Sequence, residues 1–445
     1  MPHYGWKQLI AILGDIGAFY LSIFVFSFVR YGLDWQRGLS LHLVPLSLIL
    51  PFWLLTFFAG ELYENQYFRF DLKLVRRSVG NIIVASVISV VLFYLFPDYL
   101  ITPKTNLIIF AAVFSAAFLV WRRTFFKFLG AGLKTKTIFL GRGRVSDEVY
   151  AFLGDHPELG YKLEGKIERL ETVLDHRLLR NGLDLIVVEE LKEKEAAAHE
   201  ILSAILLSGA SVLSLEDFYE QVTGRVSLDL LDEMWFIDHL GGPETRLNSA
   251  LIWLTEKIIS LVGLIVVGIL LPVLALAVKL DSKGPIFYYQ KRVGRNKKIF
   301  TIYKFRTMRA LSSNGSAEVD GKPQRTVKGD RRITRIGKFL RLTKIDELPQ
   351  FWNILKGEMA IVGPRPERPE EWEELIHQLP FNSLRLLVKP GATGWAQINY
   401  KAPTNLEEVR VRLAYDLYYI KNRSFLLDLA IILRTLKNFL ASSND

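Results

Sequence analysis

One pair of adjacent carboxylates follows a strongly basic part of the chain. Residues 279–345 contain 19 Lys and Arg but only 4 Asp and Glu, and Asp346 and Glu347 come directly after them. A carboxylate kept ionised by cations and by a helix N-terminus can act as a nucleophile, and its neighbour can help to bind a hard divalent cation. The alternative is structural, because Asp346 can also be the N-cap of a helix predicted to end near Lys356.

Short motifs around this pair interleave Lys and Arg with glycine, proline and aromatic residues. A polybasic patch for anionic lipid, worth about 1 kcal/mol per cation, explains scattered charges but not this interleaving. A nucleic-acid patch is another general interpretation, but the apolar segments of the chain argue against it. We therefore expect no nucleic-acid partner. The motifs are Lys291–Gly294, Tyr303–Arg306, Arg341–Pro349, Val362–Pro366 and Lys389–Gln397.

Composition removes several other kinds of site. The 445 residues include no cysteine, which excludes disulfides, thiolate catalysis, cysteine-ligated zinc and iron–sulfur clusters. The seven histidines form no short-range cluster, so a histidine-based metal site is not expected. Half of the residues are hydrophobic and the mean hydropathy is +0.21, although 56 residues are Lys or Arg. This combination indicates a membrane protein with a separate polar portion.

Four apolar runs near the N-terminus have the length of membrane spans. They cover roughly 6–29, 39–60, 79–96 and 106–121, and about 20 helical residues cross a bilayer core. Four buried helices of a soluble core are the alternative. Ten cations flank one set of helix ends and three flank the other, which places the N-terminus and everything after Trp121 in the cytoplasm.

The middle of the chain is acidic and alternates strand-like and helix-like segments. Strands are predicted at 137–141, 184–188 and 211–215 and helices at 145–154 and 191–207, which is the rhythm of a doubly wound domain. Gly141-Arg-Gly143 resembles the start of a dinucleotide fingerprint, but Ser146 replaces its third glycine. No tyrosine has a lysine four residues later, so the pair used by short-chain dehydratases is missing. A degenerate scaffold or regulatory domain is favoured over a bound nucleotide.

A fifth apolar run, 258–278, contains no charge and would be about 31 Å long as a helix. If it crossed the membrane, the basic segment after it would be exported, against the positive-inside rule. Pro272 removes one helical hydrogen bond and clashes with the carbonyl of Gly268. We expect a kink there that returns the segment to the cytoplasmic face.

Residues 250–445 resemble the bacterial sugar transferases known as monotopic phosphoglycosyl transferases. The motifs recur in the family's order over about 200 residues, and the front half resembles the family's long form, which initiates exopolysaccharide, capsule or O-antigen synthesis. Many members have Ser-Pro at the helix break, where this chain has Leu271-Pro272. The matching motifs are Tyr303–Met308, Ile345–Gln350, Gly363–Glu367, Lys389–Gln397 and Tyr418–Ser424.

The resemblance implies a multi-pass protein of the bacterial cytoplasmic membrane with α plus α/β architecture. Four transmembrane helices would occupy 1–125, a degenerate Rossmann-like cytoplasmic domain 137–245 and a monotopic catalytic domain 250–445. A re-entrant helix would cover about 252–280, with its break at Pro272. A homodimer is plausible on the same grounds.

The implied reaction moves a sugar-1-phosphate from a UDP-sugar to undecaprenyl phosphate. Asp346 would attack the β-phosphorus, UMP would leave, and the lipid phosphate would displace Asp346 from the phosphosugar. Mg²⁺ is expected, flanked by Asp346 and Glu347. The resemblance assigns donor and phosphate binding to Lys304, Arg306, Arg365, Lys389 and Gln397.

Two other functions compete with this interpretation. A membrane-bound nucleotide-sugar dehydratase would need the complete glycine fingerprint and the Tyr/Lys pair. A non-enzymatic scaffold would leave Asp346 and Glu347 without a role. Residues 312–328 are predicted to form a mobile loop over the donor, and the apolar stretch 425–437 either lies along the membrane interface or packs as a core helix.

Overall fold

The protein is described here by a computed structural model, which is helical with a mixed α/β part and divides into two compact units, Met1–Leu230 and Leu231–Asp445. The structure describes residues 6–60, 62–63, 72–95, 104–129, 134–156, 159–167, 183–189, 210–231, 235, 245–318 and 330–442.

The first unit begins with four long helices that cover the four predicted apolar runs. Phe19, Trp53 and Phe114 form an aromatic centre, with ring centroids 5.0 to 5.8 Å apart and edge-to-face geometry. Outward-facing side chains such as Leu13 and Val44 are 57% and 63% exposed, and this apolar exterior favours membrane spans over a soluble core. The helices are α1 (Trp6–Tyr31), α2 (Trp35–Ala59), α3 (Leu72–Leu95) and α4 (Lys104–Leu129).

A four-stranded parallel sheet of order β2-β1-β3-β4 follows in the same unit. The strands and the helix predicted at 137–141, 184–188, 211–215 and 145–154 are confirmed, whereas β2 was not predicted. The helix predicted at 191–207 lies outside the described residues. The elements are β1 (Thr135–Leu140), α5 (Arg144–Asp155), β2 (Tyr161–Ile167), β3 (Leu185–Val188), β4 (Ser211–Ser214) and α6 (Leu215–Thr223).

The glycine turn after β1 is filled by a side chain of the protein itself. The Gly143 N–H donates to Oε2 of Glu189 at 2.6 Å. A Cβ added at Gly141 or Gly143 would lie 2.4 or 1.7 Å from the Glu189 side chain. In doubly wound sheets this turn receives a nucleotide phosphate. Here the two glycines make room for a carboxylate.

The second unit begins with the long helix α7 (Arg246–Asp281) and continues with short elements around a mixed core. β5 and β6 form an antiparallel hairpin, and β7 and β8 form a parallel pair. These elements are β5 (Phe287–Val293), β6 (Ile299–Phe305), α8 (Arg335–Leu342), α9 (Phe351–Lys356), β7 (Ala360–Val362), α10 (Pro369–Gln378), β8 (Gly391–Thr393), α11 (Trp395–Asn399), α12 (Leu406–Asn422) and α13 (Phe425–Ser442).

Helix α7 is assigned as one helix of 36 residues with Pro272 inside it. The predicted break is therefore not confirmed, and the re-entrant course stays a prediction. One stripe of side chains faces the unit on both sides of the proline: Ile252, Glu256, Ser260, Gly263 and Val267 before it, and Val278 after it. The opposite face is apolar and exposed, as Ile269 (71%) and Val273 (68%) illustrate.

The C-terminal helix α13 packs with one face in the core, where Ile431 is fully buried. Leu426 and Leu436 are about half exposed. The core-helix alternative is therefore confirmed for one face of α13, and contact of its exposed apolar face with a membrane interface stays a prediction.

Candidate active site

The β5–β6 hairpin carries the first group of polar side chains into a cleft. Residues that oppose each other in an antiparallel pair point to the same face, and Tyr288 opposes Lys304. Because side chains alternate along a strand, Gln290 and Arg292 share that face. All four line the cleft, which has a volume of about 350 Å³.

A short 3-10 helix, Ile345–Gln350, carries the carboxylates. It follows Lys344, whose φ of 54° turns the chain sharply, and Lys344 rather than Asp346 occupies the N-cap position. The alternative of Asp346 as the N-cap is therefore wrong. Asn353 fixes this segment to the hairpin, since its amide donates to the Thr301 carbonyl at 2.7 Å.

Asp346 is buried but lacks a hydrogen-bond partner at one oxygen. The side chain is 8% exposed, and its Oδ1 has no partner among the described residues. Burial, with a smaller contribution from Glu347, raises the pKa of Asp346 to about 6, although Lys304 and Lys344 act in the opposite direction. The predicted cations are present, but burial outweighs them, so Asp346 is an ionised yet unusually basic carboxylate at neutral pH.

Glu347 is in a different state because it is paired. Its Oε1 lies 2.5 Å from Nζ of Lys304. Although burial works against ionisation, Lys304 and Arg365 lower the pKa of Glu347 to about 2. Two adjacent carboxylates thus differ strongly in basicity, which is typical of sites where each has its own role.

Arg365 also lines the cleft, as predicted. Its side chain is exposed, and its Nη1 donates to Oε1 of Gln397 at 3.3 Å. The Nε2 of Gln397 is buried without a hydrogen-bond partner among the described residues. The structure therefore brings together Lys304, Asp346, Glu347 and Arg365, with Gln397 behind Arg365.

Arg306 does not reach the cleft, which corrects its assignment to phosphate. Its buried guanidinium donates to the carbonyls of Val278 (3.0 Å), Ser282 (2.7 Å) and Lys283 (2.7 Å), so it caps the C-terminal end of α7. The free carbonyls of a helix end attract cations of this kind.

Lys389 is likewise absent from the lining of the cleft. Its Nζ lies 3.6 Å from Oε2 of Glu256 on α7. Lys389 therefore pairs with a buried carboxylate of α7 and lies outside the cleft, which corrects its assignment to phosphate.

Sequence reasoning assigned no role to five cations of the cleft, although three of them lie in motifs that it singled out. Among the described residues the lining contains seven Lys or Arg and three carboxylates, the third being Glu318, which pairs with Arg368 at 2.6 Å. Arg292 could have been predicted from the side-chain alternation along β5, because it shares a face with Tyr288, which opposes Lys304. The others come together only in the folded chain. The seven cations are Arg292, Lys304, Arg332, Arg341, Lys344, Arg365 and Arg368.

The residues present fit a magnesium ion in one respect. The unpaired Oδ1 of Asp346 and the neighbouring Glu347 offer hard oxygen ligands, and Mg²⁺ is commonly held by one or two carboxylates together with substrate phosphates. Within the described residues no group of three His, Cys, Asp or Glu side chains gathers. A metal here would therefore depend on the phosphates of a bound substrate.

Comparisons with known proteins point in one direction. The family model for bacterial sugar transferases matches residues 247–442. The chain is 32% identical over 380 residues to a UDP-glucose:undecaprenyl-phosphate glucose-1-phosphate transferase of Klebsiella pneumoniae, a match that covers 78% of each chain. It is 34% identical over 259 residues to a UDP-N-acetylgalactosamine-undecaprenyl-phosphate N-acetylgalactosaminephosphotransferase of Aeromonas hydrophila, which covers 57% of this chain and 58% of that protein.

A third relative is much shorter than this chain. The exopolysaccharide production protein PSS of Rhizobium leguminosarum bv. phaseoli is 43% identical over 184 residues. The match takes 40% of this chain but 88% of the Rhizobium protein. A part of this chain therefore corresponds to nearly a whole protein.

Proposed function

The chain belongs to the bacterial sugar transferase family, and from that premise we propose that it transfers hexose-1-phosphate from a UDP-sugar to undecaprenyl phosphate. The observation that carries the proposal is the buried, unpaired oxygen of Asp346 in a cleft lined by cations. A buried oxygen without a hydrogen-bond partner lowers the stability of the fold, so its presence is better explained by a role in function.

Asp346 acts as the nucleophile in this proposal. One of its carboxylate oxygens forms a bond to the β-phosphorus of the UDP-sugar, and the bond from that phosphorus to the bridging oxygen breaks, so that UMP leaves. A phosphate oxygen of the lipid then attacks the same phosphorus and displaces Asp346. The raised pKa of Asp346 supports this role, because a more basic carboxylate is a better nucleophile.

The cations of the cleft bind the diphosphate. Arg365 and Arg341 offer planar groups that suit two-pronged contacts with phosphate, whereas Lys304 offers a point charge. Lys304 keeps Glu347 ionised through their 2.5 Å contact. A magnesium ion held by Asp346 and Glu347 would supply neutralisation of the charge on the departing phosphate.

In this proposal the second unit lies on the cytoplasmic side of the inner membrane, as the charges that flank the apolar runs predict. Contacts at both ends of α7 support a placement of this helix on one side. Asn248, near its N-terminal end, accepts a hydrogen bond from the Phe425 N–H at 2.7 Å. Asp281, at its C-terminal end, accepts from the Ile336 N–H at 2.8 Å. Since both ends contact the same compact unit, a crossing that separates them is disfavoured, and a re-entrant course is proposed.

Release of UMP tests the proposal directly. Membranes that contain the protein are supplied with UDP-glucose, UDP-galactose or UDP-N-acetylgalactosamine, with and without undecaprenyl phosphate. We expect continuous UMP release from at least one donor only with the lipid, and at most one UMP per protein without it. No UMP from any donor would remove the proposal and leave a dehydratase or a scaffold.

A further inference from the structure

The segment Pro364–Glu367, which carries Arg365 into the cleft, is held at the carbonyls of both of its ends. The Gly391 N–H of β8 donates to the carbonyl of Pro364 at 2.9 Å. The Val293 N–H at the end of β5 donates to the carbonyl of Glu367 at 3.0 Å. Strands on two sides therefore fix where the segment starts and stops.

The two inner carbonyls are held by arginine side chains. Nη2 of Arg385 donates to the carbonyl of Arg365 at 3.0 Å, and Nη1 of Arg292 donates to that of Pro366 at 2.9 Å. All four consecutive carbonyls thus accept a hydrogen bond from outside the segment. The segment is far more constrained than a surface loop needs to be.

Arg385 is itself fixed by carboxylates in the core. The residue is 4% exposed, and its Nε lies 2.9 Å from Oδ2 of Asp416, while its Nη1 lies 2.9 Å from Oε1 of Glu367. Arg412 also pairs with Glu367. Each side of the Arg385 guanidinium therefore has a defined partner, and the remaining N–H group points at the Arg365 backbone.

The Arg365 side chain has little support of its own. Among the described residues its guanidinium donates one side-chain hydrogen bond, at 3.3 Å to Gln397, and the residue is exposed. The position of the Arg365 side chain in the cleft is therefore determined mainly by the Arg365 backbone. The flanking prolines have a fixed φ and so restrict the conformations of that backbone. A group that holds the carbonyl of Arg365 therefore also orients the Arg365 guanidinium.

We propose that Arg385 is a positioning residue for the donor diphosphate: held by Asp416 and Glu367, it fixes the Arg365 backbone so that the Arg365 side chain meets a phosphate. This inference rests on the proposed function, since it takes a UDP-sugar as the ligand of the cleft. A lysine in place of Arg385 keeps the charge but cannot serve three acceptors in one plane.

A double-mutant cycle on donor binding separates positioning from a merely structural role. Arg385→Lys, Arg365→Ala and the double variant are compared with the unsubstituted full-length protein in detergent. The readouts are the equilibrium Kd for radiolabelled UDP-glucose and UDP-galactose and, with lipid acceptor, KM and kcat. Arg306→Lys is the matched control, because Arg306 is also a buried arginine that holds three backbone carbonyls, none of which belongs to the segment Pro364–Glu367.

We expect Arg385→Lys to raise the donor Kd and KM about tenfold. In the Arg365→Ala background the same substitution should change them less than about twofold, because the group that it positions is gone. For Arg306→Lys and Arg365→Ala, the fold-change in Kd of the double variant should equal the product of the two single fold-changes. Multiplying effects for Arg385 and Arg365, or an unchanged Kd in Arg385→Lys, would overturn the proposal.

Folding failure and failure of the proposed function remain distinguishable. If Arg385→Lys does not fold, Asp416→Asn takes its place in the cycle, since it loosens Arg385 without touching Arg365. If the protein binds the donors with the expected coupling but releases no UMP, the proposed reaction fails and the positioning role stands. If it binds neither donor, the positioning role is overturned as well.

Discussion

The glycine turn of the parallel sheet and the cleft of the second unit both carry motifs associated with phosphate, yet their carboxylates are in opposite states. Glu189 accepts a hydrogen bond from the Gly143 N–H at 2.6 Å, and the absence of a Cβ at Gly141 and Gly143 leaves room for the Glu189 side chain. Asp346 is more deeply buried than the half-buried Glu189, yet its Oδ1 has no partner among the described residues. A carboxylate with a hydrogen-bond partner serves the fold, whereas a buried oxygen without one costs stability and needs another reason to persist. The comparison shows that a buried oxygen without a hydrogen-bond partner is a better indicator of the active site than a sequence motif associated with phosphate.

The largest expected effect comes from removing the unsatisfied carboxylate. Asp346→Asn should lower UMP release by more than about a hundredfold, because an amide cannot form an acyl phosphate. Turnover per folded molecule is the measurement, and Glu374→Gln, an exposed glutamate on α10, is the control. Retention of more than a few per cent of the activity would place Asp346 with Glu189 as a structural carboxylate.

Arg365→Lys tests the cationic side of the same cleft. A point charge replaces a planar group with two parallel donors, so the KM for the UDP-sugar should rise about tenfold. Arg295→Lys, in the exposed turn between β5 and β6, should leave the KM unchanged. An unchanged KM in Arg365→Lys would assign Arg365 to the surface.

Glu367→Gln tests whether a buried carboxylate that is paired with arginines stabilises the fold, in contrast to the unpaired Asp346. Although burial opposes ionisation, Arg385 and Arg412 lower the pKa of Glu367 from 4.5 to about 2. The folded pKa lies below the unfolded one, so the stabilisation is present above about pH 4.5 and is lost as the pH falls toward 2.

The variant should therefore lose free energy of unfolding at pH 7, on the order of 3 kcal/mol, and show a weaker decline between pH 4.5 and 2. Thermal unfolding at several pH values measures both. The same acid sensitivity in variant and unsubstituted protein would show that Glu367 is not ionised by its arginines.

Removal of residues 1–246 tests whether the first unit contributes chemistry. The remaining chain keeps α7 except for its first residue, Arg246, and keeps every cation of the cleft. A Rhizobium relative is matched over 88% of its length by only 40% of this chain. We expect turnover per folded molecule to be retained, with reduced stability. A truncated protein that folds and binds donor but releases no UMP would give the parallel-sheet domain a catalytic or regulatory role.

The smallest expected effect is that of Glu189→Gln. The amide keeps one acceptor for Gly143 but loses the charge, which costs about 1 kcal/mol of stability. Turnover should stay within about twofold of the unsubstituted protein. A larger change in turnover would contradict the view that this turn serves only the fold.

Sequence reasoning found elements with a strong local signal. The four apolar runs became helices, and the apolar strands β1, β3 and β4 became a parallel sheet. β2 was missed because Tyr161–Ile167 carries charges and forms an edge of the sheet, where the apolar pattern is weak. Asp346, Glu347, Lys304 and Arg365 were found because their types and motifs are unusual.

The misassigned cations show what a sequence lacks. Lys304 and Arg306 would share a face if the strand continued, but β6 ends at Phe305, and Arg306 turns away to cap α7. Lys389 pairs with Glu256, 133 positions away in the chain. No local pattern reports such a contact, because it arises only when α7 packs into the second unit.

The Arg306 cap has a consequence for the order of events during synthesis. The carbonyls that it holds belong to residues 23 to 28 positions earlier in the chain. At about 5–20 residues per second, a ribosome adds that interval over a period of roughly one to six seconds. During this interval the end of α7 has been made, but the side chain that caps it has not. The C-terminal end of α7 therefore gains the hydrogen bonds from Arg306 only after β6 has been synthesised, so this end of the helix depends on a later part of the chain for its full set of partners.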